Sequence, residues 1–415
     1  MRRATWHLWV VLGVVLGALV VRTARVTSDG GMDNAIVVRA ARVWLAGGSP
    51  YDDPHFLYLP SAVLAAAPQA VIGRSALSVL VPVVVTGCLV GGWGCALRLH
   101  GVGLRSRFAV LGLIGLAVGF APFAHLVLLG NWTATAVLAL PLGLLLAGRG
   151  RWVAAGAVIG AAVALKPLLA PVGLLFVFAG RWRGLMVMVG VPVTASVGAA
   201  LLLPDPVGFL TRTLPFLLRG DDGFVRLYEA SLVAVLPRVG VPGAVAGGIA
   251  LGAAGAGVWC AYRRWRRGCE EIRQSRPSGP SRLSSPLCLA ETAAMLMLSA
   301  FLVSRPSYDH YLLVVVPVLL AGLSCEGAVA RGVWFWLALV PQLPGVTWPY
   351  LEAVQRRAFR DAVTLCGLAV TVGVRCFGSG RVFSPPPPLP VPSSRGAAPA
   401  ERRAPGASEV PGVGE

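Results

Sequence analysis

Charge is what this chain has least of. Of its 415 residues only 13% are charged and 56% are hydrophobic, with a mean hydropathy of +0.73; soluble domains carry about 25% charged residues. That balance excludes an ordinary soluble domain and points to a helical, polytopic membrane protein. Lysine is nearly missing as well. Lys166 is the one lysine among 36 basic residues, and the others are arginine. The eight cysteines lie mostly inside apolar runs without a CxxC pair, so they read as packing residues rather than as a zinc or dithiol site. Also absent are a Walker loop, GxGxxG, HExxH and GxSxG. With them go the ATPase, dinucleotide, zinc-protease and serine-hydrolase signatures.

What is present is a series of apolar runs cut by polar breaks. About twelve spans are expected, near 7–24, 76–98, 108–126, 131–147, 152–165, 167–180, 184–203, 239–262, 287–304, 310–325, 332–346 and 361–377. Some fall short of the 18 residues that a crossing needs and are expected to be tilted or broken. Arginine counting sets the orientation. With Arg2 and Arg3 inside, the clusters Arg98/Arg105/Arg107, Arg149/Arg151, Arg181/Arg183 and Arg263–Arg267 all fall on the same side, as does Arg331. Both termini are then cytoplasmic, and the N-terminal run reads as a retained anchor rather than a cleaved signal. The net charge of +18 belongs to topology and anionic headgroups, not to nucleic acid. The expected plan is a transmembrane domain over 1–380 and a disordered Pro-rich cytoplasmic tail over 381–415, with outer loops at 22–75 and 204–229 and a cytoplasmic loop at 263–286.

Polar residues with no topological purpose gather on the outer face. The first of these segments is Met32–Pro60, with Asp33, Asp52 and Asp53. Ile36, Val37, Ala40, Val43 and Trp44 fall on one stripe, so a surface helix is expected over Asp33–Ala46, with a second over Ser61–Ile72. Asp33 suits a helix N-cap. It equally suits a general base, because a carboxylate beside hydrocarbon is partly desolvated. Asp52 and Asp53 follow Pro50-Tyr51 and fit turn chemistry. Lys166 stands at a break before Pro167, where a cation is costly unless it is paired or faces an aqueous cavity. It can snorkel, or it can bind an anion beside the following helix start. Arg212 and Arg219 lie in the outer loop against the positive-inside trend and are candidate phosphate ligands. His310 opens a span next to Asp309 and Ser307, as a packed boundary residue or as a proton-handling group. Asn131-Trp132-Thr133 forms a sequon that fits a helix start better. An outer acid with outer cations and no nucleotide motif calls for an activated substrate delivered in the membrane, and a polyprenyl-phosphate sugar fits.

Several segments in order carry a resemblance to glycosyltransferase family 87, polytopic GT-C enzymes of actinobacterial envelope synthesis. They are Met32-Asp33, Ala46-Gly47-Gly48-Ser49-Pro50-Tyr51-Asp52, Phe56-Leu57-Tyr58-Leu59-Pro60, Gly130-Asn131, Leu165-Lys166-Pro167-Leu168-Leu169 and Ser307–Tyr311. Asp205–Pro215 and Arg181-Trp182-Arg183-Gly184-Leu185 are similar to the arabinofuranosyl-transferring members. The resemblance implies a GT-C fold, a decaprenyl-phosphate arabinofuranose donor, and inverting transfer to an envelope glycan or glycolipid. It implies Asp33 as general base and His310 as an aid to catalysis. Lys166, Arg212, Arg219, Asn131, Asp53 and Tyr58 are the expected substrate contacts. It calls for no cofactor, and the sequence shows no metal-ligand spacing. His310-Tyr311 is more similar to the polyprenyl-phosphomannose-dependent mannosyltransferases of the family, so mannose stands as a second donor. A lipid-linked sugar transporter and a non-catalytic partner subunit are the readings from other classes. A transporter would place polar residues near mid-membrane, often in repeats, whereas here they collect at one face.

Overall fold

The computed structural model describes residues 2–219, 227–275, 285–348 and 352–377, and the expected tail over 381–415 lies outside them. The described residues form helices and no strand beyond one isolated bridge, Arg3 to Ser106. In chain order the first helices are α1 (Trp6–Val26), α2 (Met32–Leu45), α3 (Pro60–Ala70), α4 (Arg74–Leu99), α5 (Arg107–Gly119), α6 (Ala121–Leu129), α7 (Thr133–Gly148) and α8 (Trp152–Leu165). Helices at Trp182–Ala200, Gly243–Ser275, Pro286–Val303 and Ala353–Phe377 follow, with shorter pieces between them.

Five described helices are long and apolar enough to cross a membrane, and a sixth if α5 and α6, bent by 72° at Phe120, count as one span. Five more apolar helical segments are only 10–17 residues long. At 1.5 Å per residue, a 14-residue helix reaches about 21 Å, short of a hydrocarbon core of about 30 Å. The expected twelve runs are therefore helical but not twelve full-length crossings. Breaks at Gly130, Lys166 and Ser304–Tyr308 end helices early and leave non-helical backbone there. Such backbone is tolerated at membrane depth only where protein or a polar cavity satisfies it.

From residue 263, where a cytoplasmic loop is expected, the chain is still helical. The helix from Gly243 continues to Ser275. The charged stretch stays helical because the backbone ladder does not need an apolar face, and it is laced by Arg266 to Glu270 at 3.9 Å and Arg264 to Glu271 at 3.9 Å. Next to it, Arg264 Nε donates to Glu291 Oε2 at 2.7 Å, and the Val329 amide donates to Glu291 Oε1 at 3.2 Å. This buried carboxylate is thus paired and hydrogen-bonded, which burial of its charge requires.

Contacts between helix ends gather in two places. At one end, Ala4 N bonds Arg105 O (2.8 Å) and Arg107 N bonds Arg2 O (2.9 Å), tying the start of α1 to the α4–α5 turn. The opposite end collects the end of α1, the starts of α2 and α7, the end of α8 and the segment after Val303. The main core, with Phe123, Phe176, Phe301 and Phe335 fully buried, lies between the helices. A second, smaller core sits under the loop between α1 and α4. It joins Val37, Ala40 and Ala41 of α2 and Ala62, Val63 and Ala66 of α3 to Tyr51, Phe56, Tyr58 and Trp132.

Glycine sets the contact that matters most. Gly31 (φ +118°) and Gly130 (φ +61°) both take positive φ, and the two turns touch through backbone. A Cβ on Gly130 would stand 2.1 Å from Gly30 O, and one on Gly31 would stand 2.5 Å from the Leu129 carbonyl. Only glycine permits that approach. It brings the start of α2 against the start of α7.

Candidate active site

Asp33 lies in the first turn of α2, where a negative charge complements the helix dipole. Its partner comes from 98 positions away. Asn131 Nδ2 donates to Asp33 Oδ2 at 2.5 Å. The other end of that amide, Oδ1, accepts from Lys166 Nζ at 2.9 Å and from the Thr133 amide at 2.7 Å. Lys166 also donates to Thr133 Oγ1 at 2.9 Å. One asparagine thus joins the carboxylate of the first loop to the chain's lone lysine. Lys166 takes up its place because α8 ends at Leu165 and Pro167 starts a 3-10 turn.

Behind Asp33 the support is fully bonded. Asn34 Nδ2 donates to Asp29 O (2.8 Å) and to Gln69 Oε1 (2.9 Å), and Asn34 Oδ1 accepts from Trp132 Nε1 (3.0 Å). Arg42 pairs with Asp29 at 3.3 Å.

An aromatic wall closes the lysine side. Lys166 Nζ lies 4.8 Å from the centre of the Tyr311 ring and 5.9 Å from that of Tyr58, within cation–π range. Burial, then the nearby negative charge of Asp33, holds the Tyr58 phenol well above its ordinary range, so it stays neutral. Tyr311 meets His310 edge-to-face at 5.1 Å, and Tyr308 stacks on His310 at 5.4 Å. The His310 ring is buried, and neither of its nitrogens has a hydrogen-bond partner. Its Nδ1 is 3.4 Å from Asp309 Oδ1, outside hydrogen-bond geometry. Unpartnered buried nitrogens are costly in a folded protein and call for a functional explanation.

Asp309 is the hub of the far wall. It is buried, accepts the His310 backbone amide at 2.8 Å, and pairs with His125 of α6 and with Arg357 at 3.5 Å. No local sequence signal marks His125 or Arg357 as a site residue. Both stand in apolar or arginine-rich contexts, and only their shared contact with Asp309 marks them.

Asp33, Asn131, Lys166, Tyr58 and His310 therefore come together at one end of the helices. Arg212 does not join them. It forms an ion pair with Asp52 and another with Asp205 at 3.4 Å, half-exposed on the loop. The pattern of charge along the chain could not show that two carboxylates already neutralise it. Asp53 is a turn residue, accepting the His55 amide at 2.9 Å and facing Arg39 at 3.8 Å. The Arg219 side chain lies outside the described residues. Replacing Arg212 by Ala is expected to leave activity within about threefold of wild type, since exposed ion pairs are worth about 0–1 kcal/mol. Initial rates in membranes normalised to protein level would check this, and a loss of a hundredfold would return Arg212 to the site.

Taken together, these features define a multi-pass helical membrane protein that holds an acid, a lysine and a buried histidine at one end of its helices. The chain belongs to glycosyltransferase family 87: the sequence profile described as Glycosyltransferase family 87 matches residues 56–276, more than half of its length. The matched stretch contains His125, Asn131 and Lys166, while Asp33, His310 and Arg357 lie outside it. Among curated proteins it is similar to an "Alpha-(1->3)-arabinofuranosyltransferase" of Mycobacterium tuberculosis, from strain CDC 1551 / Oshkosh and from strain ATCC 25618 / H37Rv. Each is 29% identical over 230 residues, which is 54% of this chain and 53% of the relative. The chain spans about half the length of the curated relatives it matches. No solved structure matches it.

Proposed function

We propose that this chain is an inverting membrane glycosyltransferase of the GT-C type, a single domain over 1–380 whose twelve apolar runs include full crossings and shorter, tilted or broken ones. It moves arabinofuranose from a decaprenyl-phosphate donor to a hydroxyl of an envelope glycan or glycolipid. Both termini are cytoplasmic, and the site lies on the extracytoplasmic side. The observation that carries the reading is the Asp33–Asn131–Lys166 chain, in which a carboxylate and an ammonium are held on the two ends of one amide.

In the reaction the acceptor oxygen attacks the anomeric carbon from the side opposite the phosphate. Its proton passes to Asp33, the new carbon–oxygen bond forms, and the carbon–oxygen bond to phosphate breaks with its electron pair leaving on the lipid phosphate. Asn131 holds Asp33 Oδ2 and leaves Oδ1 free to take the proton. Lys166 offsets the charge that grows on the leaving phosphate. Tyr58 and Tyr311 shape the wall beside the sugar, and His310 packs behind Tyr311. Arg212 and Asp53 hold the outer loop and are left out of the chemistry.

Incubation in proteoliposomes with decaprenyl-phosphate arabinose and, in parallel, polyprenyl-phosphate mannose, followed by linkage analysis of the product, tests this reading. A pentosyl product with inverted configuration is expected. A hexosyl product alone would reassign the donor to mannose. Movement of intact lipid-linked sugar across the bilayer with no transfer would replace the reading by that of a transporter.

A further inference from the structure

Past the helix Trp182–Ala200 the chain enters the stretch expected as an outer loop from residue 204, and its exposed side chains stay apolar. The helix itself is long and apolar enough to cross a membrane, and little of it is buried in the protein. Met186, Val189, Val193 and Val197 are each more than half exposed, at spacings of three and four that set them on one face. In a crossing helix such a face meets lipid. The row does not stop at Ala200. Leu201 and Leu202 are 76% and 62% exposed, Val207 and Leu210 are 55% and 60%, and Leu214 is 37%. A contiguous exposed apolar patch marks a contact with a protein or with a membrane.

The other side of the same stretch is docked on the first loop. A π-helical turn over Phe209–Thr213 runs on into a helix over Leu214–Arg219. Gly208 is buried so close to Tyr51 that a Cβ there would stand 2.7 Å from the ring. The Phe209 ring meets that of Tyr51 edge-on at 6.3 Å, and Thr213 Oγ1 donates to Phe56 O at 3.5 Å. Arg212 is tied to Asp52 and Asp205. Trp44 Nε1 donates to Leu202 O at 2.9 Å, fixing the end of α2 to the point where the chain leaves the crossing helix. The docked side is thus aromatic and polar. Val207, Leu210 and Leu214, again three and four apart, make up the outward one.

We infer that residues 201–214 are an interfacial membrane anchor, lying along the bilayer surface with Leu201, Leu202, Val207, Leu210 and Leu214 in the lipid of the leaflet nearest the site. The occupant of this face is lipid hydrocarbon, because the row continues the face that the crossing helix turns to lipid. A surface helix with one apolar and one polar side takes this position, its apolar side sunk into the boundary between headgroups and acyl chains. The anchor also reaches the site. Tyr51 packs on Phe56 at 5.5 Å, Phe56 stacks on Tyr58 at 5.6 Å, and Tyr58 is part of the ring wall beside Lys166. Through these rings the depth of the anchor in the lipid sets the height of that wall above the hydrocarbon. The inference stands apart from the transfer chemistry and does not depend on it.

Thiol labelling in a bilayer tests it. No native cysteine lies between Cys95 and Cys260, so a cysteine introduced in this stretch is read by itself from its tryptic peptide by mass spectrometry. Val207→Cys and Leu210→Cys, with Arg212→Cys as the reference on the polar side, are placed in phosphatidylcholine–phosphatidylglycerol nanodiscs. Each disc holds one copy of the full chain and leaves both membrane faces open to a charged maleimide. Val207→Cys and Leu210→Cys are expected to react at least about ten times more slowly than Arg212→Cys, because a thiol held in hydrocarbon stays protonated and out of reach. Unfolding in dodecyl sulfate should bring all three to one rate. Thermal unfolding shows which variants are folded, and Leu214→Cys on the same face replaces either one that is not. Reaction of the apolar positions as fast as Arg212→Cys in the single-copy discs would overturn the inference. If they were then protected only in discs holding two copies, the face would belong to a second copy of the chain and not to lipid.

Discussion

Replacing Asp33 by Asn is expected to reduce transfer by roughly 10²–10⁴-fold, the range for a general base, while the protein still inserts and packs. The substitution is nearly isosteric. An asparagine carbonyl can still accept from Asn131 Nδ2, the bond that now reaches Asp33 Oδ2 at 2.5 Å. The glycine contact between the turns is untouched, as is the Asn34 network behind it. What is lost is the capacity to take a proton, along with a favourable charge at a helix start worth about 0.3–1 kcal/mol. Initial rates with either lipid-linked donor, divided by the amount of protein in the membrane fraction, give the measurement. A rate within a few-fold of wild type would remove Asp33 from the role of base, and the proposed mechanism with it.

Lys166→Met should lower donor use by about 10²–10³-fold, the cost of removing one charged donor from a developing anion. Methionine fills much of the same length, so the Tyr58 and Tyr311 faces stay covered. Asn131 Oδ1 keeps one of its two donors, the Thr133 amide at 2.7 Å. The amide should therefore still reach Asp33, and the acceptor KM should move little. Lys166→Arg is not expected to restore activity. The ammonium fits between two oxygens at 2.9 Å each, and the planar, wider guanidinium cannot meet both from the same place. Separate titrations of donor and acceptor decide the matter. A defect confined to the acceptor would show that Lys166 works by holding Asn131, not by meeting phosphate.

The composition of local stretches was enough to place the chain in a membrane, because hydropathy is a property of neighbours in sequence. The helix expected over Asp33–Ala46 lies at Met32–Leu45, since its apolar stripe and first-turn acid are also local signals. Lys166 could be singled out because it is one lysine among arginines. The lengths of the helices were less legible. Where α5 bends into α6, and where the helix from Gly243 runs on through charged residues to Ser275, hydropathy and the backbone ladder no longer coincide.

The membership of the site was not legible from local signals. Asp33, Asp52 and Asp53 are equally acidic in sequence, yet Asp52 meets Arg212, Asp53 meets His55, and Asp33 alone of the three meets Asn131. Arg212 and Arg357 are equally basic, yet the first is neutralised on a loop while the second faces Asp309. His125 became visible only through a carboxylate 184 positions away. By itself, the sequence determined that this is a helical membrane chain with polar breaks set between its apolar runs. Tertiary structure decided which polar groups became a site. Such pairing depends on contacts across the fold, here made possible by glycines at 30, 31 and 130 that let two backbone turns touch, and no local window of sequence contains both partners.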